Sequence, residues 1–328
     1  MIKKFIDAHV HLNTTSTEKL EKAMEYNASF LSINTNIPFF ESIEKQEEVI
    51  LELQQKYPGK IQFITSFDFR DWGKENFAEG AIAQIKRGMD NGAVGVKIWK
   101  DVGFDLHDEN GNFVMIDHPV FDPIFNYLVK NDILLIGHQG EPRNCWLPLE
   151  QMTVDSDREY FKAHPEYHMF LQKDYPSYED QMNARDHMLE KFPDLRYVGL
   201  HLFSMEYSIG EVGTRLDKYP NTTTDVAERT CHLQLQAKED HEAVRNFCIK
   251  YQDRIMYGTD VIDDGSTSPE EIAAKFEHLW NFHYRFFATD EILEAPEFQG
   301  SFKGLNLPEK VVEKIFYHNA KKTYQFQY

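Results

Sequence analysis

Eight short, apolar, β-rich runs recur along the chain and alternate with longer amphipathic segments. The runs cover residues 5–9, 30–34, 61–67, 95–99, 133–138, 197–202, 222–226 and 255–260. Segments between them, such as 41–56, 77–91 and 241–251, carry apolar residues at helical spacing. Because strands that alternate with helices are typical of parallel βα units, this pattern predicts a protein of the α/β class.

Eight βα units can close into a barrel or lie open as a doubly wound sheet. No glycine-rich phosphate-binding loop follows the first predicted strand, which disfavours an open sheet of the dinucleotide-binding kind. Polar residues at the ends of several predicted strands, described below, favour closure. We therefore predict a (β/α)₈ TIM barrel. The chain contains no repeat, linker or low-complexity stretch, so we expect residues 1–328 to form one domain.

The longest gap lies between the fifth and sixth predicted strands. Residues 178–192 have a helical pattern, whereas 141–177 are rich in aromatic residues, proline and histidine. A long loop on a compact barrel is usually functional, for example as a lid, although its aromatic side chains would equally suit a small satellite core. Two extra helices are predicted near the C-terminus, one starting at Ser268-Pro269-Glu270-Glu271 and one over residues 308–324.

Charge and cysteine content restrict the partners of this protein. The 328 residues include 54 acidic and 35 basic side chains, which give a formal net charge of −19. Such a surface repels nucleic-acid backbones and anionic membranes, so a small-molecule substrate is the expected partner. The three cysteines have no CxxC spacing, and we see no signal peptide, so a cytoplasmic location is expected. A monomer and a homo-oligomer both remain open.

His9 and His11 lie on one side of the first predicted strand, because residues i and i+2 of a strand point the same way. Two imidazoles that converge in this manner suit Zn²⁺ or a similar divalent ion. Taken alone, this His-x-His motif fits a pair of surface histidines equally well.

Polar residues on five other predicted strands favour a metal site over a pair of surface histidines. They are Lys97, His138, His201, Asp225 and Asp260. Catalytic groups of (β/α)₈ enzymes come from the carboxyl ends of the strands. A buried imidazole or charge at the end of an apolar strand is costly unless it is paired or bound to a metal. The sequence therefore predicts a functional, metal-binding rim.

This ordered set of motifs resembles the amidohydrolase superfamily. Ile6-Asp7-Ala8-His9-Val10-His11, the histidines of the fifth and sixth strands, and Gly258-Thr259-Asp260 are similar to the amidohydrolase-2 branch, which includes proteins like aminocarboxymuconate-semialdehyde decarboxylase. The ending Phe316-Tyr317-His318-Asn319-Ala320 is also similar to that branch. The branch contains hydrolases, lactonases and non-oxidative decarboxylases.

The resemblance implies a divalent metal, most simply one Zn²⁺, held by His9, His11, His138 and Asp260. It further implies that Asp260 is the general base for a metal-activated water, while His201 polarises the substrate carbonyl or binds a second ion. The expected activity is hydrolysis of a small-molecule amide, lactone or related carbonyl compound. A decarboxylase that uses the same residues is the alternative, and a barrel that has lost activity and serves as a binding protein is a third.

The resemblance leaves two roles open for Lys97. In two-metal members a fourth-strand lysine is carbamylated and bridges the ions, which requires a neutral amine and a lowered pKa. In single-metal relatives the charged lysine would instead pair with Asp260 or with a substrate carboxylate. One ion is our base expectation, and a second ion with Lys97 as a ligand is kept open.

Four further residues are candidates for substrate contact. Glu141 and Arg143 follow His138 in a polar run, Trp99 lies two residues beyond Lys97, and Arg229 follows the seventh strand. An arginine fork suits a carboxylate or phosphate group, although a salt bridge within the loop explains Glu141 and Arg143 equally well. Asp225 is expected to orient a metal-binding histidine from behind.

Overall fold

The computed structural model describes residues 4–327, and the predicted alternation of strands and helices is confirmed there. The strands are β1 Phe5–Leu12, β2 Ala28–Ile33, β3 Ile61–Ser66, β4 Val96–Ile98, β5 Leu135–Gly137, β6 Tyr197–Gly199, β7 Thr222–Asp225, β8 Ile255–Met256, β9 Val261–Asp263, β10 Ile292–Glu294 and β11 Ser301–Lys303. The helices are α1 Glu18–Glu25, α2 Ile43–Lys56, α3 Phe77–Asp90, α4 Asp122–Lys130, α5 Asp155–Ala163, α6 Tyr178–Lys191, the short turn α7 Leu200–Phe203, α8 Ile209–Lys218, α9 Thr230–Glu239, α10 His241–Lys250, α11 Pro269–Ala288, α12 Glu309–Glu313 and α13 Asn319–Thr323. None of the helices in this part of the chain is long and apolar enough to span a membrane.

Strands β1 to β9 form one parallel sheet in the order β8-β7-β6-β5-β4-β3-β2-β1-β9. The segment from β8 to β9 is one interrupted strand: β8 pairs with β7, and β9 pairs with β1. Between these two parts, the amide of Ala8 donates to the Tyr257 carbonyl at 3.0 Å, and the amide of Asp260 donates to the His9 carbonyl at 2.8 Å. These bonds join the two edges of the sheet, which is the TIM-barrel architecture predicted from the sequence.

Two apolar layers hold the barrel together. The inner cluster takes side chains from the strands, among them Ile6, Leu31, Ile64, Ile136 and Met256, all at most 1% exposed. A larger cluster packs the outer faces of the strands against the helices. Side chains thus alternate between the two layers along the strands, and the candidate site residues lie towards or beyond the carboxyl ends.

The C-terminal helices follow their sequence signals, with one irregularity. Helix α11 begins after Ser268 with the predicted capping box, in which the Ser268 and Glu271 side chains each bond the other's backbone amide. The helix predicted over residues 308–324 is instead divided, since Lys314–His318 adopts the wider π-helical geometry between α12 and α13.

Three other expectations need correction. The sixth strand ends at Gly199, so His201 is not on a strand but in a turn. The eighth strand is interrupted before Asp260, whose φ of +63° is left-handed. The segment after β5 is more structured than a loop, because it contains α5 and several 3₁₀ turns. Within this segment, Phe161 packs into a small satellite core, whereas Tyr160, Tyr167 and Phe170 remain about half exposed.

Candidate metal centre

A cavity of about 540 Å³ opens at the carboxyl ends of the barrel strands. The predicted residues His9, His11, Lys97, His138, His201 and Asp260 all line it. His9, His11 and His201 are buried, with His9 fully enclosed and His201 1% exposed, whereas His138 is partly exposed. Residues far apart in the chain therefore share one enclosed polar space.

Hydrogen bonds behind the rings determine where three of the histidines carry their protons. His11 Nδ1 lies 2.7 Å from the Ile33 carbonyl and His201 Nδ1 lies 3.0 Å from the Ala227 carbonyl. A carbonyl oxygen only accepts, so both Nδ1 atoms donate, and each Nε2 keeps a free lone pair. His9 Nδ1 donates in the same way to the Asp225 carboxylate at 2.7 Å.

The three Nε2 atoms face one carboxylate. Asp260 Oδ1 lies 3.2 Å from His9 Nε2 and 3.3 Å from His11 Nε2, and Asp260 Oδ2 lies 3.8 Å from His201 Nε2. Burial raises the pKa of Asp260, but the charge of His9 and a hydrogen bond from His11, both of which require a proton on the ring's Nε2, outweigh it and hold that pKa well below its usual value. Burial also lowers the pKa of His11, and lowers that of His201 to about 3. The Nε2 atoms and an ionised carboxylate thus converge, an arrangement that needs a cation, either a proton or a metal ion, between them.

Two of these buried atoms have no hydrogen-bond partner within residues 4–327: His9 Nε2 and Asp260 Oδ1. The ligand atoms of His9, His11 and Asp260 all lie within 4.8 Å of one another, as a shared ion requires. Neutral imidazoles and a carboxylate are ligands that Zn²⁺ prefers. The residues present therefore fit a divalent metal.

His138 lies at the side of this group. Its ring centroid is 4.4 Å from that of His201, and its buried Nε2 makes no hydrogen bond within residues 4–327, although Glu141 Oε2 lies 3.9 Å away. Burial and the neighbouring His201 hold the pKa of His138 well below its usual value. It lines the same cavity, but its Nε2 does not lie within 4.8 Å of all three ligand atoms of His9, His11 and Asp260.

Asp225 lies behind the metal-binding face of the histidines and bonds two of them, His9 and His201. Its Oδ2 accepts from His9 Nδ1, and its Oδ1 accepts from the backbone amide of His201, both at 2.7 Å. The amide bond anchors an unusual turn, because the four residues His201–Ser204 all have φ between +53° and +60°. Left-handed conformations cost about 1–2 kcal/mol per non-glycine residue, so this turn exists only because its surroundings hold it.

Lys97 is 1% exposed and lies in the cavity wall. Burial lowers the pKa of Lys97 to about 8, against the attraction of Asp260 and Asp225. Within residues 4–327, no carboxylate oxygen lies within 4 Å of its Nζ, so the ion pair with Asp260 considered from the sequence is not formed.

The candidate substrate residues divide into two groups. Trp99, Glu141 and Arg229 line the cavity, and Glu141 is paired with Lys100. Arg143 is not among the described residues that line the cavity, and its guanidinium stacks over the Tyr207 ring at 4.6 Å. The expected contact of Arg143 with substrate therefore finds no support, because the chain turns its side chain away at this point.

One acidic residue was missed by sequence reasoning. Glu228 has a carboxylate oxygen within 4.8 Å of ligand atoms of both His201 and Asp260. It follows β7, and its own φ of +56° turns the side chain towards the cavity. No sequence pattern predicts a left-handed glutamate, although its place just after the seventh strand was a usable signal.

Comparison with known proteins agrees with this architecture. The chain resembles an uncharacterised TIM-barrel protein from Bordetella bronchiseptica (14% identity, TM-score 0.54, 98% of each chain covered) and an amidohydrolase II (17%, 0.54, 98% of this chain and 100% of that one). It also resembles 4-oxalomesaconate hydratase from Rhodopseudomonas palustris (13%, 0.50, 98% and 95%). At these identities the likeness concerns the fold alone. No curated protein matches the chain in sequence. The amidohydrolase family model matches residues 67–326, and the chain therefore belongs to the amidohydrolase family, in its amidohydrolase-2 branch.

Proposed function

We propose that this protein is a metal-dependent hydrolase of a small-molecule amide, lactone or related carbonyl compound. Membership in a family of generally metal-dependent hydrolases supports the general class. The observation that carries the proposal is the convergence of free Nε2 lone pairs from His9 and His11 on the ionised Asp260 carboxylate, within a cavity large enough for a substrate.

We infer that His9, His11 and Asp260 hold the ion and that His138 completes the set, since its buried Nε2 has no hydrogen-bond partner among the described residues. Zn²⁺ is the proposed metal because neutral imidazoles and a carboxylate are ligands that it prefers. When bound, such an ion polarises a carbonyl and makes water more acidic. Lys97 joins the ligands only if its amine is carbamylated, which its lowered pKa permits.

The roles of the chain's own residues follow from their positions. Asp260 has two carboxylate oxygens, and its low pKa keeps it ionised, so it accepts the proton of the attacking water and returns it to the leaving group. His201 Nε2 lies 3.8 Å from Asp260 Oδ2, where it orients the water or the substrate. Trp99, Glu141 and Arg229 form the wall that positions the substrate.

Metal analysis of the purified protein is the direct test. We expect at least one equivalent of zinc per chain, and we expect the double substitution His9→Ala and His11→Ala to remove it with little change in the far-UV circular dichroism. The exposed pair His164→Ala and His187→Ala is the matched control and should retain the metal. A double His9/His11 variant that keeps stoichiometric metal would remove the proposed site. Mass spectrometry of the intact chain detects a carbamate on Lys97.

The class of reaction is tested with isotopes. Turnover of amides and lactones in ¹⁸O-labelled water should place the label in the product carboxylate. Release of CO₂ without label in the product would assign the decarboxylase alternative instead, on the same residues.

A further inference from the structure

A second cavity of about 270 Å³ adjoins the metal-centre cavity; we call it the outer cavity. Phe39, Trp99, Lys100, Glu141 and Tyr160 line both spaces. Because the two share these walls, a molecule whose carbonyl lies at the metal centre can extend directly into the outer cavity.

Aromatic side chains dominate the walls of the outer cavity. They are Phe39, Trp99, Phe104, Tyr160, Tyr167 and Tyr175. Three of these remain strongly exposed: Phe39 at 70%, Tyr167 at 53% and Tyr160 at 47%. Large apolar side chains that gather at the mouth of a cavity are a feature of ligand-binding sites, since burial against a ligand removes their surface from water.

The charged groups of the outer cavity indicate which ligands it rejects. Its one lysine, Lys100, is already paired with Glu141. Asp105 and Glu166 add two further carboxylates to the lining. The wall is therefore negatively charged overall, which disfavours an anionic group. Its volume suits an aromatic ring, since a cavity of about 150 Å³ already holds benzene.

We propose that the outer cavity is an aryl-binding subsite, which takes an uncharged aromatic group of the substrate whose carbonyl is held at the metal centre. This inference rests on the proposed function for its anchor and narrows the substrate class to aromatic amides, lactones or related compounds. The aromatic group stacks on the exposed rings of Phe39 and Tyr167 and displaces water from them.

Binding of hydroxamates to the zinc-loaded protein separates the two sites. Acetohydroxamate chelates zinc without reaching the outer cavity, whereas benzo-, phenylaceto-, 3-phenylpropano- and 4-phenylbutanohydroxamate carry a phenyl ring at increasing distance. By isothermal titration calorimetry, we expect the best phenyl compound to bind at least about tenfold more tightly than acetohydroxamate, as burial of one aromatic ring implies. A para-carboxylate on that ring should abolish the gain.

Exposed positions allow a clean set of variants, since none of them threatens folding. Tyr167→Ala, at a residue that lines only the outer cavity, should lower the phenyl gain and leave acetohydroxamate affinity unchanged. Phe170→Ala is the matched control, because Phe170 is 48% exposed on the same segment but is not among the residues that line either cavity. It should change neither affinity.

Two results would overturn the subsite alone: phenyl compounds that bind no more tightly than acetohydroxamate, or a phenyl gain that is unchanged in the Tyr167→Ala variant. Failure of acetohydroxamate itself to bind the zinc-loaded protein would instead reject the metal centre, and the subsite with it.

Discussion

One carboxylate, Asp260, faces the Nε2 atoms of His9, His11 and His201. It is also held in a left-handed conformation by the bond from its amide to the His9 carbonyl. A single side chain thus combines metal binding with proton transfer in the proposed mechanism, and its substitution should affect catalysis more than substrate affinity.

We predict that Asp260→Asn lowers kcat by roughly 10²–10⁴-fold while KM changes by less than about tenfold, because an amide cannot take up the proton. Steady-state kinetics at saturating zinc measure both constants. Asp264→Asn, which changes an exposed aspartate nearby in the chain, should behave as wild type. An unaltered kcat in Asp260→Asn would exclude Asp260 from proton transfer.

Asp225 uses both of its oxygens, one for His9 Nδ1 and one for the His201 amide. Asparagine offers only one acceptor, so in Asp225→Asn one of these two donors meets an NH₂ group. We predict that zinc affinity falls by roughly 10–100-fold, the usual effect of losing a partner behind a metal ligand.

Competition with a chromophoric chelator measures that affinity, and Asp217→Asn at an exposed ion pair is the control. Equal zinc affinity in the Asp225 variant would mean that Asp225 does not orient His9.

At the scale of elements, the left-handed turn His201–Ser204 depends on helix α6. The Tyr178 hydroxyl donates to the Ser204 carbonyl at 2.6 Å, and the buried Arg185 guanidinium donates to the Phe203 carbonyl. These bonds hold in place a conformation that the residues themselves disfavour. Helix α6 therefore contributes to the position of His201.

Gly199 allows this turn to form. A Cβ at Gly199 would lie 2.1 Å from Phe203 Cδ1, whereas a Cβ at Gly210 in α8 would meet nothing closer than Ser208 Oγ at 3.5 Å. We predict that Gly199→Ala lowers the free energy of unfolding by about 1–3 kcal/mol, as overpacking does. Gly210→Ala should raise that free energy by up to about 1 kcal/mol, since alanine is the better helix former. Urea denaturation compares the two, and equal stability would show that Phe203 relocates freely.

At the scale of the whole molecule, the hydrogen bonds between β1 and β9 join strands some 250 positions apart, and α1 packs against α11. We propose on this basis that residues 1–328 form a single domain. A barrel closed in this way cannot lose one half without exposing the inner apolar cluster of the other.

We therefore predict one cooperative thermal transition, and a lower Tm after removal of zinc by EDTA, because a ligand at 100 times its Kd stabilises the folded state by about 2.7 kcal/mol. Differential scanning calorimetry measures both effects. The His9/His11 double variant should show the same single transition with no response to EDTA. Two separated transitions would contradict the single domain, and a wild-type Tm insensitive to EDTA would contradict the metal site.

The residue pattern was sufficient to predict the α/β class, the barrel, the helices of residues 43–56 and 77–90, and the capping box of α11. It was sufficient because strand and helix periods and helix caps are local signals. That His9, His11, Lys97, His138, His201 and Asp260 share one cavity was also predictable, since each lies near or just after the carboxyl end of a parallel strand and these ends meet at one rim.

Tertiary structure alone decided the directions of particular side chains. The register of β1 against β2 shifts between Asp7 and Val10, so that Asp7 bonds the Trp280 indole on α11 while His9, two residues on, faces the cavity. The left-handed turn that carries His201, the inward turn of Glu228 and the outward turn of Arg143 likewise have no local signal. Each depends on bonds and contacts with residues distant in the chain, and these form only once the barrel has closed.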